Sequence, residues 1–374
     1  MTLRFLSILV LFVLGRASFA QTKVNKIDSL LGLLYGKGKL NGNVLVAEKG
    51  KITYLKSFGI ANESTGEKVN ENTIFELASC SKQFTAMAIM ILKEQGKLRL
   101  DDPMSRYLPK LSFYDKITIR NLLNHTGGLP DYLSIMDTVF DKHKIAVNDD
   151  IIDIFARIKP ALEFSPGTQF SYSNTGYAIL ASIIEIASGE SYANFLKKNI
   201  FEPLDMQRTF VYNRRLHPQK INNYAFGYIY SKYLAKYLLP DSIEKAKVVY
   251  WLDGVVGDGT VNSTVIDLLK WDRALYTGKL ISKSGIQMMF SPARLSNGTL
   301  TKYGFGWKIE QHADYGKLVR HSGGWPGYKS DIERHIDNDK TIIVLQNHYD
   351  AEEPTKAIRS ILYDQPVALP SRIP

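Results

Sequence analysis

The chain predicts an α/β architecture: an antiparallel sheet built from both ends of the sequence, with a largely helical insertion between them. Alternating apolar residues and turn chemistry near the start, long apolar helical stretches in the middle and four short strand-like runs after Leu280 carry this expectation. Residues 22–35 place Val24, Ile27, Leu30, Leu31 and Leu34 at helical spacing. A hairpin is predicted over 42–48 and 52–58, turning at Glu48-Lys49-Gly50-Lys51. Residues 75–96 turn an apolar approach into a helix that Gly96 stops. After the break at Asp101-Asp102-Pro103, a short helix at 119–123 runs into the turn-rich loop His125-Thr126-Gly127-Gly128-Leu129-Pro130. Helices are expected over 149–158, 175–187 and 192–199, and Ser165-Pro166-Gly167 presents Phe170–Asn174 as a loop. Residues 212–251 are aromatic and basic without a clear period. The glycine-rich stretch 254–260 lacks a following Gly-Lys-Ser/Thr, and the next helix, 265–275, is expected to be capped by Asn262 or Ser263; this is no phosphate loop. Strands at 304–311, 318–321, 331–336 and 341–346 and a helix at 354–363 close the chain.

With 374 residues, 45% hydrophobic and 22% charged, the chain can bury a large core. Residues 1–20 read as a secretory leader: Arg4, an apolar run at 5–14, and Ser18-Phe19-Ala20 before Gln21. That run is too short to span a bilayer, although Arg16 near the cleavage site leaves retention as an anchor open. A secreted or periplasmic location is expected. The net charge of +10 includes Arg4 and Arg16, and the other basic residues are scattered, which predicts a solvated basic surface and no nucleic-acid groove. Cys80 is the only cysteine, so no intrachain disulfide can form, and its place between two serines suits a small buried filler.

Ser79 and Lys82 stand three apart at the start of the 75–96 helix, so a hydroxyl and an amine share one face. The positive end of a helix disfavours an ammonium and favours a developing oxyanion, which suits a nucleophilic serine. The spacing alone is cheap: Ser242-Ile243-Glu244-Lys245 repeats it. Acyl transfer also needs a second proton handler and an oxyanion site. Tyr172-Ser173-Asn174, on a loop entering a helix, offers the first, whereas Tyr192-Ala193-Asn194 lies inside a helix and reads as packing. A basic residue, a hydroxyl residue and a glycine recur at Lys283-Ser284-Gly285, His125-Thr126-Gly127 and His321-Ser322-Gly323-Gly324. Only the last ends a strand, where an open edge can hold an extended substrate or an oxyanion.

Taken in order, Ser79 and Lys82, Tyr172 and Asn174, and His321 through Gly324 resemble the serine β-lactamase and penicillin-binding-protein superfamily, in its class C, D-alanyl-D-alanine carboxypeptidase and esterase branch. The blocks Phe75–Lys82, Leu122–Leu129, Phe164–Gly167 and Pro203-Leu204-Asp205-Met206 extend the likeness, with Asp205 where glycine is usual. The resemblance implies a β-lactamase/transpeptidase-like hydrolase over 21–374, its α/β part at about 21–76 and 255–374 and its mainly helical part at about 77–254. It implies Ser79 as nucleophile, Lys82 and Tyr172 as proton handlers, and Asn174 orienting substrate and Lys82. The amides of Ser79 and Gly324 would form the oxyanion hole beside Gly323, with His321 and Ser322 touching Tyr172 or a substrate carboxylate. No metal or organic cofactor is implied. Histidine at 321, where lactamases usually carry lysine, favours a peptidase, amidase or esterase over a β-lactamase; an acylated sensor with negligible turnover is a third reading. Trp325 and Tyr328 serve equally as cleft wall or packing, His125 reads as a loop residue bonding backbone, and Tyr224, Tyr228 and Trp251 read as core.

Overall fold

In the computed structural model, residues 22–367 are described; the expected leader lies outside them. Alternation in the two end segments builds one six-stranded antiparallel sheet, in the order Lys308–His312, Gly316–Trp325, Tyr328–His335, Lys340–Gln346, Gly42–Glu48, Lys51–Phe58. The first and last parts of the chain meet at its centre, where Gly42 faces Gln346 and Glu48 faces Lys340. Both faces are covered. Val44, Val46, Ile342 and Val344 pack with Ile27, Leu30, Leu31, Ile358 and Ile361 from the helices at 22–36 and Thr355–Leu362. The alternate residues Leu45, Ala47, Ile343 and Leu345 join the main core with the helices Lys82–Glu94 and Val265–Ala274. A period of two between two apolar layers dictates this split.

The Lys82–Glu94 helix is buried on every side from Lys82 to Leu92, as a helix apolar all round must be. It packs against the equally apolar helix Asn174–Ser188, which a left-handed Gly189 ends. A small sheet of Phe75–Glu76, Val261–Ser263 and Phe210–Val211 delivers the chain to Ser79. The cap expected at Asn262 or Ser263 is instead Thr264, whose side chain accepts from the Asp267 amide; the two expected residues are held in that strand. The Tyr132–Val139 helix was not anticipated, and residues 212–251 resolve into short 3₁₀ turns, one short helix and the hairpin Ile229–Ser231 and Lys236–Leu238. Among the described residues no helix is long and apolar enough to cross a membrane.

Candidate active site

Ser79 sits in a 3₁₀ turn, Ala78–Ser81, and the α-helix begins only at Lys82. The turn sharpens the predicted geometry, because side chains three apart eclipse one another in a 3₁₀ helix. Lys82 Nζ lies 3.1 Å from Ser79 Oγ. The approach is strained: Ala78 has φ +47°, a left-handed conformation that costs an L-residue about 1–2 kcal/mol. Leu77 is held in place by its amide on the Val261 carbonyl and by Ser330 Oγ on its own carbonyl.

Lys82 is fully buried, and its other two contacts are the Asn174 amide oxygen at 2.9 Å and the Asp258 backbone carbonyl at 2.8 Å. Both of these accept only. A neutral amine would keep its two N–H bonds on them, leaving its lone pair for Ser79 Oγ–H. Asn174 is held in turn: its side-chain and backbone nitrogens both donate to Asp131 Oδ2 at 2.9 Å. The amide oxygen therefore faces Lys82 Nζ and the nitrogen faces the carboxylate, with no freedom to flip. Asp131 also caps the Tyr132–Val139 helix through the Leu133 amide.

Tyr172 is carried on a segment hung from the His125 loop. Glu163 and Ser171 donate their amides to the Gly128 and His125 carbonyls, and Gly167 donates to Thr126. Gly128 has φ +75°, and a Cβ there would stand 2.1 Å from the Phe164 carbonyl, so glycine is required. The Tyr172 ring lies 5.1 Å from Lys82 Nζ, and the residue is 37% exposed. His125 packs against that ring, tilted by 39° with 4.3 Å between centroids, and its Nδ1 accepts from the Ser173 amide, as a loop histidine bonding backbone should.

On the far wall, Lys308–His312 pairs with Gly316–Trp325 only as far as Arg320, leaving the edge from His321 onward to face Ser79. A Cβ at Gly323 would meet the Leu77 carbonyl at 2.2 Å and the Ser79 amide at 3.0 Å, whereas at Gly324 it would meet open space. Gly323 thus sets the approach, and Gly324 lies exposed at the cleft, where it lines one cavity with Ser79 and Trp325.

His321 departs from expectation. It is buried, with Nδ1 at 2.8 Å from the Ser322 carbonyl and Nε2 at 2.9 Å from Tyr303 Oη. A carbonyl only accepts, so Nδ1 carries the proton and Nε2 takes the Tyr303 O–H. Burial, with Lys82 nearby, pushes the imidazole down to about 3 and keeps it neutral. No N–H remains for a substrate carboxylate or for the Tyr172 hydroxyl. His321 supports the ring layer under Tyr172, 6.2 Å between centroids, and the half-buried Ser322 serves it through its carbonyl. Cys80 is the buried filler expected: Sγ points at the His321 carbonyl, and burial pushes the thiol up to about 12.

The sequence model of the beta-lactamase family matches residues 31–363. The chain belongs to the beta-lactamase family. Penicillin-binding protein 4* of Bacillus subtilis (strain 168) is 46% identical over 94% of this chain and 79% of its own length. A teichoic acid D-alanine hydrolase of Staphylococcus aureus is 28% identical over 86% of this chain and 73% of that protein. Among solved structures, the D-amino acid amidase of Ochrobactrum anthropi SV3 with D-phenylalanine has a TM-score of 0.75 at 25% identity, covering 92% of this chain and 99% of that one. This beta-lactamase-family chain is a serine hydrolase with the family's mixed α/β fold.

Asp131 and Asp258 were missed by reading the sequence. Asp131 follows the Gly127–Pro130 loop directly, a cap position before an unrecognised helix. Asp258 lies in the glycine-rich stretch weighed only as a phosphate loop; its carboxyl accepts from Tyr132 Oη at 3.0 Å, and burial raises it to about 6 against the pull of Lys82. Trp325 lines the cavity, whereas Tyr328 is buried with its hydroxyl on the Ala225 carbonyl, which divides the pair between wall and packing. Tyr224, Tyr228 and Trp251 are buried as expected.

Proposed function

We propose that this protein is an exported hydrolase that cleaves an amide or ester through an acyl-enzyme on Ser79, of the D,D-carboxypeptidase, D-amino-acid amidase or esterase type. The observation that carries the reading is the arrangement at Lys82, whose two acceptor-only partners aim its third position at Ser79 Oγ. Ser79 Oγ attacks the carbonyl and its proton passes to Lys82. The tetrahedral oxyanion is received by the amides of Ser79 and Gly324. Collapse breaks the bond to the amine or alcohol, which leaves with a proton delivered through Tyr172. Water then gives its proton to the same pair and releases the acid, restoring Ser79. The names of two relatives, a D-alanine hydrolase and a D-amino acid amidase, support ester or amide substrates over β-lactams. The predicted leader supports export. A solvent-accessible Tyr172 beside Lys82 supports turnover over a trapped acyl group.

Intact-mass spectrometry after exposure to p-nitrophenyl acetate and to a fluorescent penicillin tests this, with product release followed in parallel. The expected result is an adduct or turnover that disappears in Ser79→Ala. Equal reactivity in Ser79→Ala overturns the assignment, and a persistent penicillin adduct beside rapid ester turnover separates peptidase-like trapping from lactamase action.

A further inference from the structure

We propose that the cavity beside Ser79 selects acyl groups bearing a free, protonated amine, and that the Glu76 carboxylate is the group that reads it. The inference rests on the acyl-enzyme reading above and narrows its substrate class. The cavity measures about 160 Å³. That is small against the roughly 300–1,000 Å³ of pockets for drug-sized ligands, and it suits one compact aminoacyl unit. It is lined by Ser79, Asn174 and Gly324 but not by Tyr172. In the cycle proposed above we take it as the acyl side of the bond, away from the phenol that protonates the leaving atom.

Glu76, Arg214, Asp253 and Asp258 are the charged side chains on its wall. Three already have partners within the protein. Arg214 donates to Asp241 at 2.9 Å, Asp253 accepts from the Arg215 guanidinium at 2.9 Å and from the Arg215 and Leu216 amides, and Asp258 accepts from Tyr132. Glu76, half-buried three residues before the nucleophile, receives no hydrogen bond or ion pair from any described residue. Its carboxylate is partly shielded by the protein yet open to the cavity, so an ammonium there can give it the direct partner that the protein does not. The groups around Glu76 are Arg215, Asp253, Arg214 and the neutral phenols of Tyr224 and Tyr328. Burial dominates among them and raises its carboxyl to about 7. A neighbouring cation favours the ionised form, so capture of an ammonium strengthens as pH rises through that value, until the substrate amine itself loses its proton. An N-acylated substrate presents a neutral amide there and leaves Glu76 unpaired. The amine takes no part in bond making; only charge pairing is added to the Ser79 cycle.

The test is competition against p-nitrophenyl acetate by D-alaninamide and by N-acetyl-D-alaninamide. Wild type, Glu76→Gln and Glu76→Asp are compared at pH 6 to 8. The ratio of the two inhibition constants within each variant does not depend on the folded fraction. We expect wild type to favour the free amine by about tenfold or more, Glu76→Gln to bring the ratio near one and Glu76→Asp to retain part of it. A wild-type ratio near or below one, an unchanged ratio in Glu76→Gln, or no competition by either amide overturns the assignment to Glu76. If p-nitrophenyl acetate turnover is absent, or survives in Ser79→Ala, the acyl-enzyme reading fails first, and this inference with it.

Discussion

Two stretches of this chain carry the same Ser-x-x-Lys spacing and share nothing else. Between Ser79 and Lys82 the backbone is a continuous 3₁₀ turn passing into a buried α-helix, and the two side chains touch. Between Ser242 and Lys245 the chain leaves one 3₁₀ turn and enters another through an extended Ile243, with φ −115° and ψ 116°. The shared face is lost there, and Lys245 stays in a charged, surface stretch. The tyrosine motifs divide in the same way. Tyr172 opens on the cleft with Asn174 at Lys82, whereas Tyr192 is buried with its hydroxyl on Thr85 Oγ1 at 2.6 Å. A spacing carries chemistry only where the intervening backbone and the burial of both ends turn it into a contact.

That comparison can be broken most forcefully at the serines. Ser79→Ala should lower kcat/KM for ester hydrolysis by at least about 10³-fold, as removal of a nucleophile does, while Ser242→Ala stays at the wild-type rate. Steady-state kinetics on the purified pair decide it. Loss of a general acid or base is worth about 10²–10⁴-fold, so Lys82→Met and Tyr172→Phe should each fall in that range, with Lys245→Met unaffected. Tyr192→Phe should leave kcat nearly unchanged and cost about 1 kcal/mol of stability for the Thr85 hydrogen bond, read from denaturant midpoints.

A smaller effect separates His321 from a catalytic group. Its folded value, about 3, lies below the ordinary value of 6.5, so between these the unfolded chain binds more protons and stability rises with pH. The contribution is complete above about pH 6.5 and is lost as pH falls toward 3. His321→Gln should flatten the melting-temperature profile across that window while leaving the neutral limb of the pH–rate profile in place. A vanished limb near neutrality would return His321 to the chemistry. Smallest of all, Asp131→Ala should cost about 1 kcal/mol for its helix cap and release Asn174, seen as a modest fall in kcat.

The sequence by itself determined the sheet strands and their meeting from both ends. Apolar residues at a period of two, and helices apolar all round, have few other ways to be buried; Gly42–Glu48 and Ile119–Leu123 lie where the pattern put them. Ser79, Lys82, Tyr172 and Asn174 could be singled out because a helix start and a glycine turn separate them from their decoys and the ordered set resembles a known family. Only the tertiary structure decided what stands around them. Asp131, Asp258 and Tyr303 reach the site from separate segments, and nothing local distinguishes a carboxylate that holds Asn174 from one that faces water. The family resemblance implied that His321 touches Tyr172 or a substrate carboxylate, at a strand end whose backbone edge reads as open. Burial and the Tyr303 hydroxyl, eighteen residues away, instead fix its tautomer and turn it inward. Spacing along the chain specifies local geometry, but protonation and partners depend on which distant groups exclude water from the same small volume.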